Sequence, residues 1–289
     1  MPNFASKTIC SWDEFNKFVL GMNSSAPAQK RAWLYRGQSE NWPLMTAMER
    51  ALHHWDIDLK KATSIEFQSI REFRRRLRDP EHRRVHSDTL FCLALMQHHG
   101  APTRLLDCTY SPYVAAAFAM EHGIVSKTPV IWCFRGEWCE FEAMRVTSDN
   151  LVKRRNDDNQ RNDQTFIPLF QLEFSAPKGS TKWKFVKHEN PFHLNERLTT
   201  QQGIFLCPAD LSCSFVDNLK AMQEWDSDQN VVKLRLYLTL AEARNFAQNL
   251  KKMNLSCAAL FPGLDGFGRS IGQQIVHYEE LADSGAGVP

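Results

Sequence analysis

The chain lacks the signatures of most well-known chemistries. There is no GxxxxGK[ST] phosphate loop, no GxGxxG, no HExxH and no GxSxG. These absences argue against P-loop kinases, Rossmann dehydrogenases, zincins and α/β-hydrolases. Eight cysteines occur, at 10, 92, 108, 133, 139, 207, 213 and 257, yet none forms a CxxC pair, so no structural zinc site and no metal is expected. No cluster of carboxylates stands out for a metal-dependent nuclease. No run of about 18 apolar residues suggests a membrane-spanning helix, and no secretory pattern opens the chain. The expectation is a soluble, cytoplasmic protein with reduced thiols and no membrane partner. Net charge is only +2, so no global field singles out nucleic acid.

What is present suits a globular core. The 289 residues are 43% hydrophobic, with 19 Phe and 8 Trp, which argues against disorder and fits one large domain or two small ones. Helical spacing predicts an amphipathic helix from Ser11, with Phe15, Phe18 and Val19 on one face. A second is predicted over 63–79, with Ile65, Ile70, Phe73 and Leu77 inward and arginines outward. From Arg71 to Arg84, seven arginines face three acids; this is either a solvated face or a surface for nucleic acid or an acidic partner.

Strands are expected at 31–36 (ending at Gly37, with a polar turn after it), 128–134, 166–174, 183–186, 203–207 and 231–238. A buried helix is expected over 90–99, closed by Gly100, and another from Ser111-Pro112 to Gly123. A capping box at Thr239–Glu242 opens a helix to about Met253. Residues 153–164 read as an exposed loop and 284–289 as a fraying tail. Helices early and strands late favour an α+β fold.

The segment Gln97–Pro112 is the most informative. It reads as a loop rich in ionisable residues between two apolar helices, and functional groups concentrate on such loops. His98 and His99 point about 100° apart on a helix, so a shared metal is disfavoured and a supporting role is expected. Arg104 and Asp107, three apart, either pair with each other or brace the loop, or Asp107 orients a polar group in a cleft. The free N–H groups of the Ser111 helix offer an anion site, as at any helix start. Arg36, at a strand end beside Gly37, either grips phosphate or pairs with a structural carboxylate. Gln202 beside Gly203 either enters a cleft or lies on an exposed edge, and Glu196 is a candidate acid upstream.

Four blocks resemble the FRG domain. They are Leu34-Tyr35-Arg36-Gly37-Gln38 with Trp42-Pro43-Leu44, the block 97–119 containing Pro102–Asp107, Gln201–Phe205, and Leu260–Gly266. The resemblance implies one domain over 28–270, preceded by an N-terminal helical segment (1–27) and followed by a tail (271–289). A weaker similarity links the chain to ADP-ribosyltransferases. Arg36 matches their early strand-end Arg or His, Thr109-Tyr110-Ser111 their Ser-Thr-Ser or Tyr element, and Gln202 the place of their late Glu. It implies an ADP-ribosyltransferase-like fold with a mixed or antiparallel sheet, and NAD as substrate. The catalytic set implied is Arg36, Tyr110 and Gln202, with Glu196 as a possible acid. Arg36, Gly37, Gln38, Thr103, Arg104, Asp107, Thr109 and Ser111 would hold the dinucleotide. The acceptor would be nucleic acid, RNA favoured, or protein. A toxin or anti-phage role with an antitoxin partner is the expectation, and a non-catalytic nucleic-acid- or nucleotide-binding module the alternative. Gln in place of Glu removes the negative charge that would support an oxocarbenium-like transition state.

Overall fold

Seven short, mostly buried strands assemble into one mixed sheet. In the computed structural model, which describes residues 4–24, 33–77, 84–121, 128–147, 183–190, 196–264 and 266–272, these are β1 (Ser6–Ile9), β2 (Trp33–Gln38), β3 (Leu106–Thr109), β4 (Val130–Arg135), β5 (Val186–Glu189), β6 (Gly203–Pro208) and β7 (Val231–Leu236). The spatial order is β1-β7-β4-β2-β3-β6-β5. Only β1 and β7 run parallel; the other neighbours are antiparallel.

Helices cover both faces. They are α1 (Trp12–Ser24), α2 (Ala47–His54), α3 (Ala62–Arg76), α4 (Arg84–Ser87), α5 (Thr89–His98), α6 (Pro112–Met120), α7 (Gly136–Thr147), α8 (Glu196–Thr200), α9 (Phe215–Lys220), α10 (Leu240–Lys252) and α11 (Cys257–Leu260), with a 3-10 turn at Leu59–Lys61. Strand alternation separates two cores. On the first face Leu34, Cys108, Trp132, Phe134 and Leu206 pack with Trp138 and Cys139 of α7 and Phe215 and Leu219 of α9. On the second, Tyr35, Ile131, Cys133 and Leu234 pack with α1, α6 and α10 through Phe15, Val114, Ala115 and Phe246. A third cluster joins α3 and α5 to Leu105, Phe205 and Cys207.

Several expectations hold in detail. Ser111 caps α6, its hydroxyl accepting from the Val114 N–H, with Pro112 at the first position. Gly100 follows α5 with φ +83°. The helix predicted over 63–79 is α3, which stops at Arg76 with Leu77 extended, residues 78–79 lying outside the described residues, and the Thr239 side chain accepts from the Glu242 N–H. Glu242, however, turns its carboxylate to the Trp12 N–H, so it ties α10 to α1.

Other expectations need correction. Strands and helices interleave along the chain, with β1 first and β7 late. The 1–27 segment contributes a strand as well as a helix, because β1 lengthens the sheet beside β7. β2 runs through Gly37 to Gln38, which pair with Ile131 and Val130. The Gln97–Pro112 loop contains a strand, β3, held between β2 and β6; its four residues are too few to show alternation against the polar residues around them. The strand expected at 183–186 begins instead at Val186. The segments 153–164, 166–174 and 284–289, with Gly123, lie outside the described residues.

Candidate functional site at the opening between two central strands

β2 and β3 pair at a single register position, Tyr35 with Thr109. Beyond it β2 stays with β4 and β3 with β6, so the ladder opens between Arg36 and Asp107. Arg36 bridges the opening: its Nη1 donates to the Asp107 carbonyl at 2.7 Å. Its Nε is buried without an acceptor. An unpaired polar atom of this kind is unusual in a native fold and favours a ligand oxyanion.

Gly37 is there because nothing larger fits. A Cβ at this position would lie 1.9 Å from the Ala115 carbonyl oxygen and 2.7 Å from the Ala119 nitrogen. The absent side chain lets α6 lie directly on the sheet. Gln38 accepts from the Trp132 indole at 2.8 Å and is buried.

The exposed Asp107 carboxylate is held in place by Gln97, whose Nε2 donates to Oδ1 at 2.7 Å. Thr103 in turn donates to Gln97 Oε1 and accepts from the Leu105 N–H. Arg104, expected either to line the site or to brace the loop, points its guanidinium at α3. It is fully buried, and its guanidinium pairs with Glu66 of α3, Nε lying 2.9 and 3.0 Å from the two carboxylate oxygens. Arg104 therefore braces the loop that leads into β3.

At the other end of β3, Thr109 donates to the Gln201 carbonyl at 2.7 Å and accepts from the Ser111 N–H. The Tyr110 N–H donates to the Gln202 carbonyl at 3.0 Å. Gln202 is exposed and sits at φ +48°, a strained turn against β6. Tyr110 is 36% exposed, and burial raises its phenol pKa. Ser111 and Thr109 spend their hydroxyls on the helix cap and the turn.

From strand spacing, the Cα atoms of Tyr110 and Gln202 lie roughly 8 and 12 Å from that of Arg36. Arg36 lies on β2, Tyr110 directly follows β3 and Gln202 directly precedes β6, so three of the four expected catalytic residues lie on or beside neighbouring strands. Glu196 differs: it is exposed at the first position of α8 and is not at the β6 start. The described part of the Arg-rich stretch is mostly solvated, Arg75 and Arg76 pairing with Glu72, while Arg74 is tied to the Val85 carbonyl and Thr89. His98 and His99 are exposed neighbours, and among the described residues no group of three or more His, Cys, Asp or Glu is placed to hold a metal.

Two residues near the opening escape sequence reasoning. The Met48 N–H donates to the Thr103 carbonyl, docking α2 on the Arg104 loop. This brings Arg50 beside Arg36 and Asp107; partial burial, and then the Arg36 charge, lower its pKa. The second is Glu49, a buried carboxylate accepting from the Thr46 N–H at 2.9 Å and from the Phe215 N–H. Thr46 before Glu49 was a legible capping pair; the contact to Phe215, far along the chain, was not.

Burial pushes the Glu49 carboxyl from 4.5 up to about 7. Between those values the folded chain keeps a proton that the unfolded chain releases. The associated stability is whole below about pH 4.5 and is lost as pH rises to about 7, by about 3 kcal/mol at most. Urea midpoints from pH 4 to 8 should show this decline, and Glu49→Gln should flatten it.

The family comparison agrees with the resemblance read from the sequence. Residues 31–127 match the family model of the FRG domain, a match to this segment of the chain. It spans β2 to α6 and holds Arg36, Gly37, Arg104, Asp107 and Tyr110; Gln202 lies outside it. No curated protein and no solved structure matches the chain.

Proposed function

We propose that the chain is an NAD-dependent ADP-ribosyltransferase whose site runs from the opening between β2 and β3 to the turn of Tyr110 and Gln202 at the other end of β3. One observation carries the reading: Arg36 on β2, Tyr110 at the end of β3 and Gln202 at the start of β6 lie on or beside strands that are neighbours in the sheet, within reach of one dinucleotide. Arg36, aided by Arg50, takes the pyrophosphate through charge-assisted hydrogen bonds. Tyr110 stacks on nicotinamide, and Gln202 bonds a ribose hydroxyl. The bond from ribose to nicotinamide breaks, nicotinamide leaves with the bonding electrons, and an acceptor nucleophile bonds the same carbon. RNA is the favoured acceptor, and a toxin or anti-phage role the favoured setting.

The test is NAD⁺ turnover by the purified chain with cell extract, label being followed into RNA, DNA and protein. Arg36→Ala should reduce turnover at least a hundredfold with an unchanged melting temperature. Wild-type-like turnover by this variant refutes the assignment. A second reading, a non-catalytic nucleotide- or nucleic-acid-binding module, is favoured by the neutral Gln202 and by the place of Glu196; binding without nicotinamide release supports it.

A further inference from the structure

The strand registers set a second group of cations on the face that carries Arg36. Arg36 pairs with Trp132, and Trp132 with Lys233. Two residues along, Gln38 pairs with Val130 and Val130 with Arg235. Two residues the other way, the same face is apolar: Leu34, Phe134 and Val231 are buried in the first core. The face therefore changes from core to basic at Arg36, Lys233 and Arg235.

Lys233 lies over the Trp132 ring, 4.7 Å from its centroid, and its Nζ donates to Asn41 Oδ1. Arg235 is half-buried, with Nε buried and without an acceptor. Among the described residues no carboxylate forms an ion pair with Arg36, Lys233 or Arg235. Desolvation and the Arg235 charge lower the Lys233 pKa. Two cations pressed together without a counter-charge favour an incoming anion.

We infer that Lys233 and Arg235 form a phosphate subsite, separated from Arg36 by the width of β4 and roughly 10 Å from it between backbones. The ligand then carries phosphates at two points of this face. Lys233 supplies a point charge and Arg235 a planar fork. The phosphate comes from a nucleotide or from the backbone of a single strand bound as acceptor. The inference rests on the transferase reading only through the shared Arg36.

The test measures binding of ADP and of a labelled ten-nucleotide single-stranded RNA to the whole chain, to Arg235→Ala and to Arg235→Lys, with NAD⁺ turnover and melting temperature alongside. Arg235→Ala should weaken at least one probe tenfold or more, Arg235→Lys less, both at unchanged melting temperature. Loss confined to RNA assigns the strand source, and its salt slope should fall by about one; loss with ADP assigns the nucleotide. Unchanged binding of both probes by Arg235→Ala, or no binding of either by the wild type, overturns the subsite, even where NAD⁺ is consumed. Weakened binding by Arg235→Ala with no NAD⁺ consumption by the wild type keeps the subsite and sinks the transferase.

Discussion

Gly37→Ala should abolish or nearly abolish folding. The new Cβ would meet the Ala115 carbonyl oxygen at 1.9 Å and the Ala119 nitrogen at 2.7 Å. Both are backbone atoms of α6, so no rotamer relieves the clash. Either α6 lifts from β2 or β2 leaves its ladder with β4. Lifting α6 exposes Val114, Ala115, Ala116 and Ala119, all buried in the second core. The expected loss is about 3 kcal/mol or more, at the upper end for overpacking. Gly21→Ala is the control: a Cβ there meets nothing within 4 Å, and Ala in place of Gly within a helix should add up to about 1 kcal/mol. Urea unfolding of both variants decides it, and a Gly37→Ala protein with wild-type stability would mean that α6 does not lie on β2 as described.

Removing one partner of the Arg104–Glu66 pair should cost about 3–5 kcal/mol, whereas removing both should cost far less. The two groups are 0% and 2% exposed. Arg104→Met leaves Glu66 as a buried carboxylate without its guanidinium, and Glu66→Leu leaves the guanidinium without its carboxylate. The double variant Arg104→Met/Glu66→Leu removes both desolvated charges and fills the space with apolar atoms. A double-mutant cycle from denaturation midpoints measures the coupling. Simple additivity of the two single losses would show that the pair is not coupled. Because Arg104 holds the loop whose Thr103 fixes Gln97 of α5 against Asp107, the single variants should also disturb ligand binding at the opening.

How far the site could be read from residues depends on the range of each signal. The cap at Ser111, the turn at Gly100 and the helices rich in periodic apolar residues are local, since their hydrogen bonds close within four residues. Arg36 and Tyr110 stood out because polar groups beside glycine and a helix start are local signals too. The role of Arg104 was open: an Arg three residues from an Asp suggests a local pair, whereas its partner Glu66 lies 38 residues away. Arg50 and Glu49 carry no local signal of a site, since an exposed Arg and a capping Glu in a short helix are ordinary. Only docking of α2 on the Thr103 carbonyl and of Glu49 on the Phe215 N–H gives them company.

By itself the chain determined its mixed helix and strand content, most of the core helices, and the FRG segment, because apolar spacing and caps act over one or two turns. The tertiary structure alone decided that β1 joins the sheet, that β3 is a strand, and that β2 parts from β3 after a single pair. It also set Arg36 on one face of the sheet with Lys233 and Arg235. Strand neighbours are chosen by pairing across long loops, and a strand of four residues carries too little pattern to name its partners.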